Sequence, residues 1–442
     1  MTNSAQKHEV EGIGVEMYQT ISALYPFCRS ITGNGTRETI KHIGTHIPID
    51  VHEVASGTKV FDWTVPREWN IRGAYIRNPK GETIVDFERS NLHVMSYSVP
   101  FTGRLPLEKL REHLFTLPEH PDWIPYRTSY YKEDWAFCIP HRQFLSLPEG
   151  EYEVCIDSSL RNGHLTYGEC FIQGKTQDEV LISCHVCHPS ICNDNLSGIA
   201  LAIALAKHLR QEPHHYSYRF LFIPGTIGSI TWLALNEERV NRIKHGLVLA
   251  GVGDDGSFTY KKTRRGNAEI DRVFSYVLAG FHDGSRTIDF HPYGYDERQF
   301  CSPGFNLPVG CAMRTPFGEY PEYHTSADNL SFVKTHALSD SFKKCVCALE
   351  ILDRNGVYLN MNPKCEPQLG KRGLYQASGG QSHKQFDAMA LFWVLSLSDG
   401  MHSLLDIAER SGLAFESINT AAQVLIEHHL LTRENVAEAS TR

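Results

Sequence analysis

The chain lacks an excess of positive charge. Its 43 Lys and Arg face 51 Asp and Glu, a formal net charge of −8. A phosphate-tracking nucleic-acid binder carries the opposite balance, so a nucleic-acid partner is not expected. Long hydrophobic runs are also missing. No stretch approaches the ~18–20 apolar residues of a membrane span, and the polar start MTNSAQKHEVEG has no apolar signal core. A cytoplasmic protein without a membrane partner is expected. The twelve cysteines are scattered rather than framed as a small disulfide scaffold, which suggests reduced thiols. Cys184, Cys187 and Cys192 resemble a zinc knot, but no second Cys/His pair stands at the spacing that would close its shell. Long repeats and low-complexity segments are absent as well.

What remains is ordinary globular composition, 41% hydrophobic and 21% charged, in 442 residues, enough for two or three domains. Residues 10–45 read as helical, with a break at Ser30–Thr36. Residues 47–160 are rich in aromatics, proline and short alternating stretches, which predicts a β-rich inserted module. From about 165 to 360 the rhythm is α/β. Strands are expected at 168–173, 179–184, 218–223 and 246–251, and helices at 196–211, 229–240 and 336–353. Short apolar strands alternating with helices imply a largely parallel sheet covered on both faces. A Pro/Gly-rich connector at 361–380 leads to a winged-helix pattern with helices at 403–410 and 415–429 around Ser411-Gly412.

The chemistry concentrates in EVLISCHVCHPSICNDNLSG at 179–198. It reads as a buried strand, a loop with His185 and His188, then Asp194 at a helix start. The carboxyl ends of strands in α/β folds are where ligands and metals bind. A second cluster, GEYPEYHTSADN at 318–329, adds His324 near Glu319, Glu322 and Asp328. Together they suggest a metal site assembled from distant segments, and hence a hydrolase or a descendant of one. Plainer readings stand beside this one. His185 fits a core histidine, Asp194 a helix cap, and His324 a turn residue.

Longer words carry a resemblance: FDWTVPREWNI at 61–71, NLHVMSYSVP at 91–100, IPYRTSYYKEDWAFC at 124–138, CHPSICNDNLSG at 187–198, EYHTSADN at 322–329 and EPQLGKRGLY at 366–375. Over nearly its whole length the chain resembles a bacterial family of aminopeptidase-like, zinc-peptidase-like proteins with a C-terminal winged helix. The resemblance implies a di-zinc aminopeptidase-like mixed sheet flanked by helices, with the β-rich module inserted after the first helices. The expected domains are 10–48 plus 160–362 for the core, 49–159 for the module and 380–435 for the winged helix. It also implies one or two zinc ions held by Asp194 as bridging carboxylate, His324 as the late histidine, His185 or His188 as the early one, and Asp254 (or Asp255) as a further acidic ligand. A DDG turn between strands accounts for Asp254 equally well. Proteins of this kind often accompany polysaccharide or secondary-metabolite genes, which implies a biosynthetic tailoring step.

One departure matters. The di-zinc enzymes place a Glu-Glu pair after the next strand, and one of these glutamates takes a proton from water. Here the segment reads FLFIPGTIGSITWL, with Gly225 and Thr226 and no carboxylate from 219 to 236. Three explanations stay open: Glu322 or Glu319 serves as base, a single zinc does different chemistry, or the domain is an inactive scaffold. Asp296, Glu297 and Arg298 in HPYGYDERQF, with Tyr323 beside His324, are candidates for reading a substrate amine or carboxylate. Cys187 beside two imidazoles is a candidate nucleophile. The tyrosines and tryptophans of the module pack its core or wall the cleft. From 380 to 442 four Lys/Arg face eight Asp/Glu, which favours protein docking over DNA for the winged helix. The expectation is a zinc-dependent hydrolase of a small aminoacyl or peptidyl conjugate, in a homo-oligomer, with a catalytically inactive partner-binding scaffold as the alternative.

Overall fold

The structure, a computed structural model, describes residues 4–374 and 388–433, with side chains from Gly12 onward. The chain forms two compact units, Met1–Val346 and Cys347–Arg442. Residues 380–387 and 434–435 of the expected winged-helix domain lie outside the described residues. Among the described residues no helix is long and apolar enough to cross a membrane.

The first unit is built on an eight-stranded mixed sheet. Its strands are β1 (Asp50–Ala55), β2 (His164–Ile172), β3 (Glu179–His185), β4 (Ser217–Ile223), β5 (Ile243–Leu249), β6 (Thr259–Lys261), β7 (Arg286–Ile288) and β8 (Val309–Met313), in the order β1-β2-β4-β3-β5-β8-β6-β7. The four central strands β4, β3, β5 and β8 run parallel, with Ile182 level with Phe220 on one side and Leu247 on the other. Every residue of β3 and β4 is buried, as expected for strands covered on both faces. Helices α1 (Ser4–Leu24), α2 (Asn34–Ile43), α3 (Gly198–Leu209), α4 (Ile227–Leu235), α5 (Glu269–Phe281) and α6 (Thr335–Arg354) accompany the sheet, and α6 runs on from the first unit into the second. Helix α3, GIALAIALAKHL, is apolar almost all round, and only Lys207 and His208 escape burial. Such a helix belongs in the interior rather than on a surface. Helix α5 was not among the sequence expectations.

The inserted module has its own four-stranded antiparallel sheet, in the order Thr83–Asp86, Glu68–Arg77, Glu151–Arg161, Phe101–Pro106. Ile76, Val85, Leu110, Phe137, Tyr152 and Val154 fill its core. One boundary needs correction. Asp50–Ala55 pairs with β2 and is the edge strand of the main sheet, so the insertion starts after Ala55 and not at 49.

The second unit carries helices Ala388–Leu397, Leu404–Ser411 and Phe415–Glu427. Ser403 and Asp406 form a capping box at the start of the second of these, and Gly412 ends it at φ +70°. A small antiparallel sheet joins Asp399–Ser403 and Leu431–Arg433 across a middle strand, Val357–Asn360. That middle strand lies within the range expected to belong to the core, which the sequence pattern carried on to 362.

A buried charge network crosses the main sheet. The Arg219 guanidinium on β4 forks onto Glu179 of β3 at 2.6 and 2.8 Å and also pairs with Glu169 of β2, whose other oxygen accepts from Trp232 Nε1. Removing one partner of such a set leaves uncompensated buried charge. Arg219→Met is therefore expected to cost about 3–5 kcal/mol in urea unfolding. A loss below about 0.5 kcal/mol, typical of a neutral surface change, would show that the network does not support the sheet.

Candidate metal centre

Strand β3 delivers His185 to the carboxyl end of the sheet. The chain then turns through His188 and enters α3 by way of Asn193-Asp194-Asn195. The two asparagines stitch this entrance to the loop after β5. Asn193 Oδ1 accepts from Gly253 N at 2.8 Å, and Asn195 Nδ2 donates to Leu249 O at 2.8 Å. Asn195 Oδ1 also takes the N–H of Gly198 at the first turn of α3. The helix start is thus satisfied by a neighbour, and Asp194 is not its cap. From the far side Asp328 accepts the backbone N–H groups of Asn193 and Asp194, at 2.6 and 3.0 Å. Burial pushes the Asp328 carboxyl up to about 8, even though these backbone hydrogen bonds act to lower it.

The Asp194 carboxylate, fully buried, meets three imidazoles. Its Oδ1 lies 2.7 Å from His185 Nε2; its Oδ2 lies 2.9 Å from His324 Nε2 and 3.9 Å from His188 Nε2. Burial alone would raise this carboxyl. The facing His188 and His185, with hydrogen bonds from His185 and His324, outweigh it and hold the group well below the usual carboxylate range. Burial pushes the His188 imidazole well below its usual range, against the opposing pull of the Asp194 carboxylate. Ligand atoms of His185, His188 and Asp194 all fall within 4.8 Å of one another. Three imidazoles and a carboxylate are a donor set that zinc accepts, so these residues fit one ion.

His324 arrives from a distant loop and is held there by the inserted module. Tyr126 N donates to His324 O at 2.8 Å, Ser326 N to Ile124 O at 2.9 Å, and Ile124 N to Ser326 Oγ at 2.9 Å. These bonds hold His324 at φ +57°, a left-handed conformation that costs a non-glycine residue about 1–2 kcal/mol. The Tyr126 ring packs edge-on against both His188 and His324, and Tyr323 stacks on His324 at 3.9 Å. Tyr126 of the module therefore walls the site.

Other sequence candidates stand elsewhere. Asp254 belongs to the loop frame. Its oxygens accept from Asn193 Nδ2, Gly256 N and Thr315 Oγ1 at 2.6 to 2.9 Å, and the cluster of converging donors does not include it. Glu322 lines a hollow of about 430 Å³ with Trp123, Asp255, Ser326, Asn329 and Lys334, a lining that holds none of the clustered ligands. Asp296 is fully buried and accepts from Ser229 Oγ at 2.7 Å, and burial raises its carboxyl to about 6. It is a framework residue with no exposed face for a substrate amine. Arg298 is exposed at the rim of that loop. Cys187 is buried, its thiol points to Gly225 O, and burial pushes it up, so it is not a thiolate nucleophile at neutral pH. No cysteine joins the donor cluster among the described residues, so the Cys184–Cys187–Cys192 knot is not formed.

Sequence reasoning missed Tyr295. Its ring stacks on His185 at 4.4 Å and its hydroxyl lies 2.9 Å from His188 Nε2. The only available signal was its position next to Asp296. Asp328 is the other supporting residue, and its role can be read directly. Asp328→Asn keeps the size but loses one acceptor for the Asn193–Asp194 backbone, so zinc affinity should fall about 10- to 100-fold, as for other outer partners of metal ligands. Competition with a chromophoric chelator measures this, and an unchanged affinity would show that Asp328 does not orient Asp194.

A family profile described as a domain of unknown function, DUF4910, matches residues 18–355, and a winged helix-turn-helix profile matches 356–433. A provisionally named polysaccharide biosynthesis protein with aminopeptidase-like domain, from Clostridium acetobutylicum, is 54% identical over 420 residues, covering 95% of this chain and 96% of its own. The crystal structure of a provisionally named peptidase from Clostridium acetobutylicum matches with TM-score 0.91 at 50% identity, over 98% of this chain and 99% of the other. A zinc aminopeptidase from Bacillus subtilis matches with TM-score 0.58 at 14% identity, over 77% of this chain and 95% of the other, a likeness of fold alone. The mixed α/β fold is thus aminopeptidase-like, and the chain belongs to the DUF4910 family, with a winged helix-turn-helix matched over residues 356–433.

Proposed function

We propose that this protein is a zinc-dependent hydrolase with a single metal ion, acting on the amide bond of a small aminoacyl or peptidyl conjugate. The observation that carries this reading is the convergence of His185, His188 and Asp194, with His324 on the second Asp194 oxygen, at the carboxyl end of the parallel strands. When bound there, zinc supplies Lewis-acid polarisation of a carbonyl and activation of water near neutral pH. The residues of the chain do the rest. Asn193, Asn195 and Asp328 fix the direction of Asp194. Tyr126 and Tyr323 pack against the imidazoles and narrow the access of water.

A single ion is favoured over two because the carboxylates that a second would need are missing. No Asp or Glu occurs from 219 to 236, and Asp254 is engaged by loop donors. The name of the Clostridium acetobutylicum relative supports a step in polysaccharide biosynthesis rather than general protein turnover. The second reading is a scaffold that keeps the site without turnover. Gly225 in the place of the expected glutamate favours it, since among the described residues no carboxylate besides Asp194 joins the converging donors.

Elemental mass spectrometry on purified protein tests the proposal. About one zinc per chain is expected in the wild type, and its loss in an Asp194→Ala, His324→Ala double variant. A panel of aminoacyl amides then separates the two readings. Zinc with zinc-dependent turnover supports the hydrolase, and zinc without turnover supports the scaffold. Protein that takes up no zinc after reconstitution under reducing conditions would remove the hydrolase reading.

A further inference from the structure

The segment after β4 raises a question that the histidine cluster does not answer: what fills the space left by the missing glutamate. A Cβ built on Gly225 would lie 2.6 and 2.8 Å from Cδ1 and Cε1 of Tyr295 and 3.1 Å from His185 Cβ. Any side chain at 225, a glutamate included, is therefore excluded by the Tyr295 ring. Gly225 and Tyr295 act as a matched pair, in which the first leaves the room that the second fills.

Tyr295 is also held in place. Its ring lies flat on His185, at 4.4 Å and 9°. Its backbone N–H donates to Glu297 Oε2 at 3.1 Å, and Glu297 Oε1 receives Lys261 Nζ at 2.5 Å. Lys261 and Glu297 are both buried, and Lys261 also donates to Tyr293 O at 2.8 Å, which closes the loop on itself. Gly294 completes the turn at φ +150°, where a Cβ would collide with Glu297. This frame points the hydroxyl at His188 Nε2, 2.9 Å away. The hydroxyl therefore reaches, at hydrogen-bonding distance, the same His188 nitrogen that faces Asp194.

We infer that Tyr295 is a metal ligand: its phenol oxygen supplies the oxygen donor that the chain lacks after β4. The inference rests on the metal-centre reading above and adds one ligand to it. A phenolate donor has a signature that an outer hydrogen-bonding tyrosine lacks, a charge-transfer band in the visible when the metal is Cu(II).

The test is titration of the zinc-free full chain with Cu(II), followed by absorption and by metal content. The wild type should take up copper and show the band. Tyr295→Phe should take up copper without the band and bind zinc at least about tenfold more weakly, the lower end of what losing even an outer partner costs. Gly225→Ala, which pushes the ring aside, should lose the band with the tyrosine still present. Copper bound to the wild type without a band, or a band that survives Tyr295→Phe, overturns the ligand assignment and leaves the histidine site standing. No copper bound at all overturns both.

Discussion

A carboxylate with no access to water is the constraint around which the first unit is arranged. Asp194 sits at the end of a sheet whose central strands are buried on both faces. An isolated charge there is prohibitive, and a carboxylate survives only if its surroundings replace water completely. They do so in two layers. Imidazoles meet both oxygens, and the backbone on either side is fixed by Asp328 and by two asparagines. The helix α3, the loop after β5 and the loop at 324–328 are each tied to Asp194 or to the asparagines on either side of it.

The second theme is replacement by shape rather than by charge. The aminopeptidase-like fold is intact, yet the carboxylates expected near the strand ends are not there. What stands after β4 is a glycine with an aromatic ring laid over it. The loop that carries the ring is fastened by a buried lysine–glutamate pair, an expensive device unless the ring position matters. The site is framed by tyrosines: Tyr126 from the module, Tyr295 and Tyr323 from the core. The fold alone therefore does not fix the reaction.

Much of this could be read in the sequence, for identifiable reasons. His185, His188, Asp194 and His324 announced themselves because metal-ligating types cluster locally, and α3 did so through its unbroken apolar pattern. The winged helix was legible from two helical stretches around the Ser411-Gly412 turn, and the structure adds the Ser403 cap and the Gly412 stop. Tyr295 was not legible, because its contact with His188 joins residues 107 positions apart and depends on a glycine in a third segment. Asp254 looked like a ligand because a carboxylate after a strand often is one. Only the structure shows that Thr315, from another loop, claims it. The edge strand Asp50–Ala55 was assigned to the module because an edge strand, mostly exposed, looks like any short β-rich segment.

The backbone bonds between Ile124–Tyr126 and His324–Ser326 give the first unit an order of assembly. Residues from one end of the insertion to the far loop must all be made, folded and brought together before the third imidazole can face Asp194. Contacts of such sequence separation form late, since the loops between them must close first. The histidine–aspartate cluster therefore depends on the whole unit and not on a local motif. A chain cut or misfolded anywhere between the module and residue 328 would still hold His185 and His188, but it would not bring His324 to Asp194. Closure of the cluster thus serves as a check that the unit has been completed.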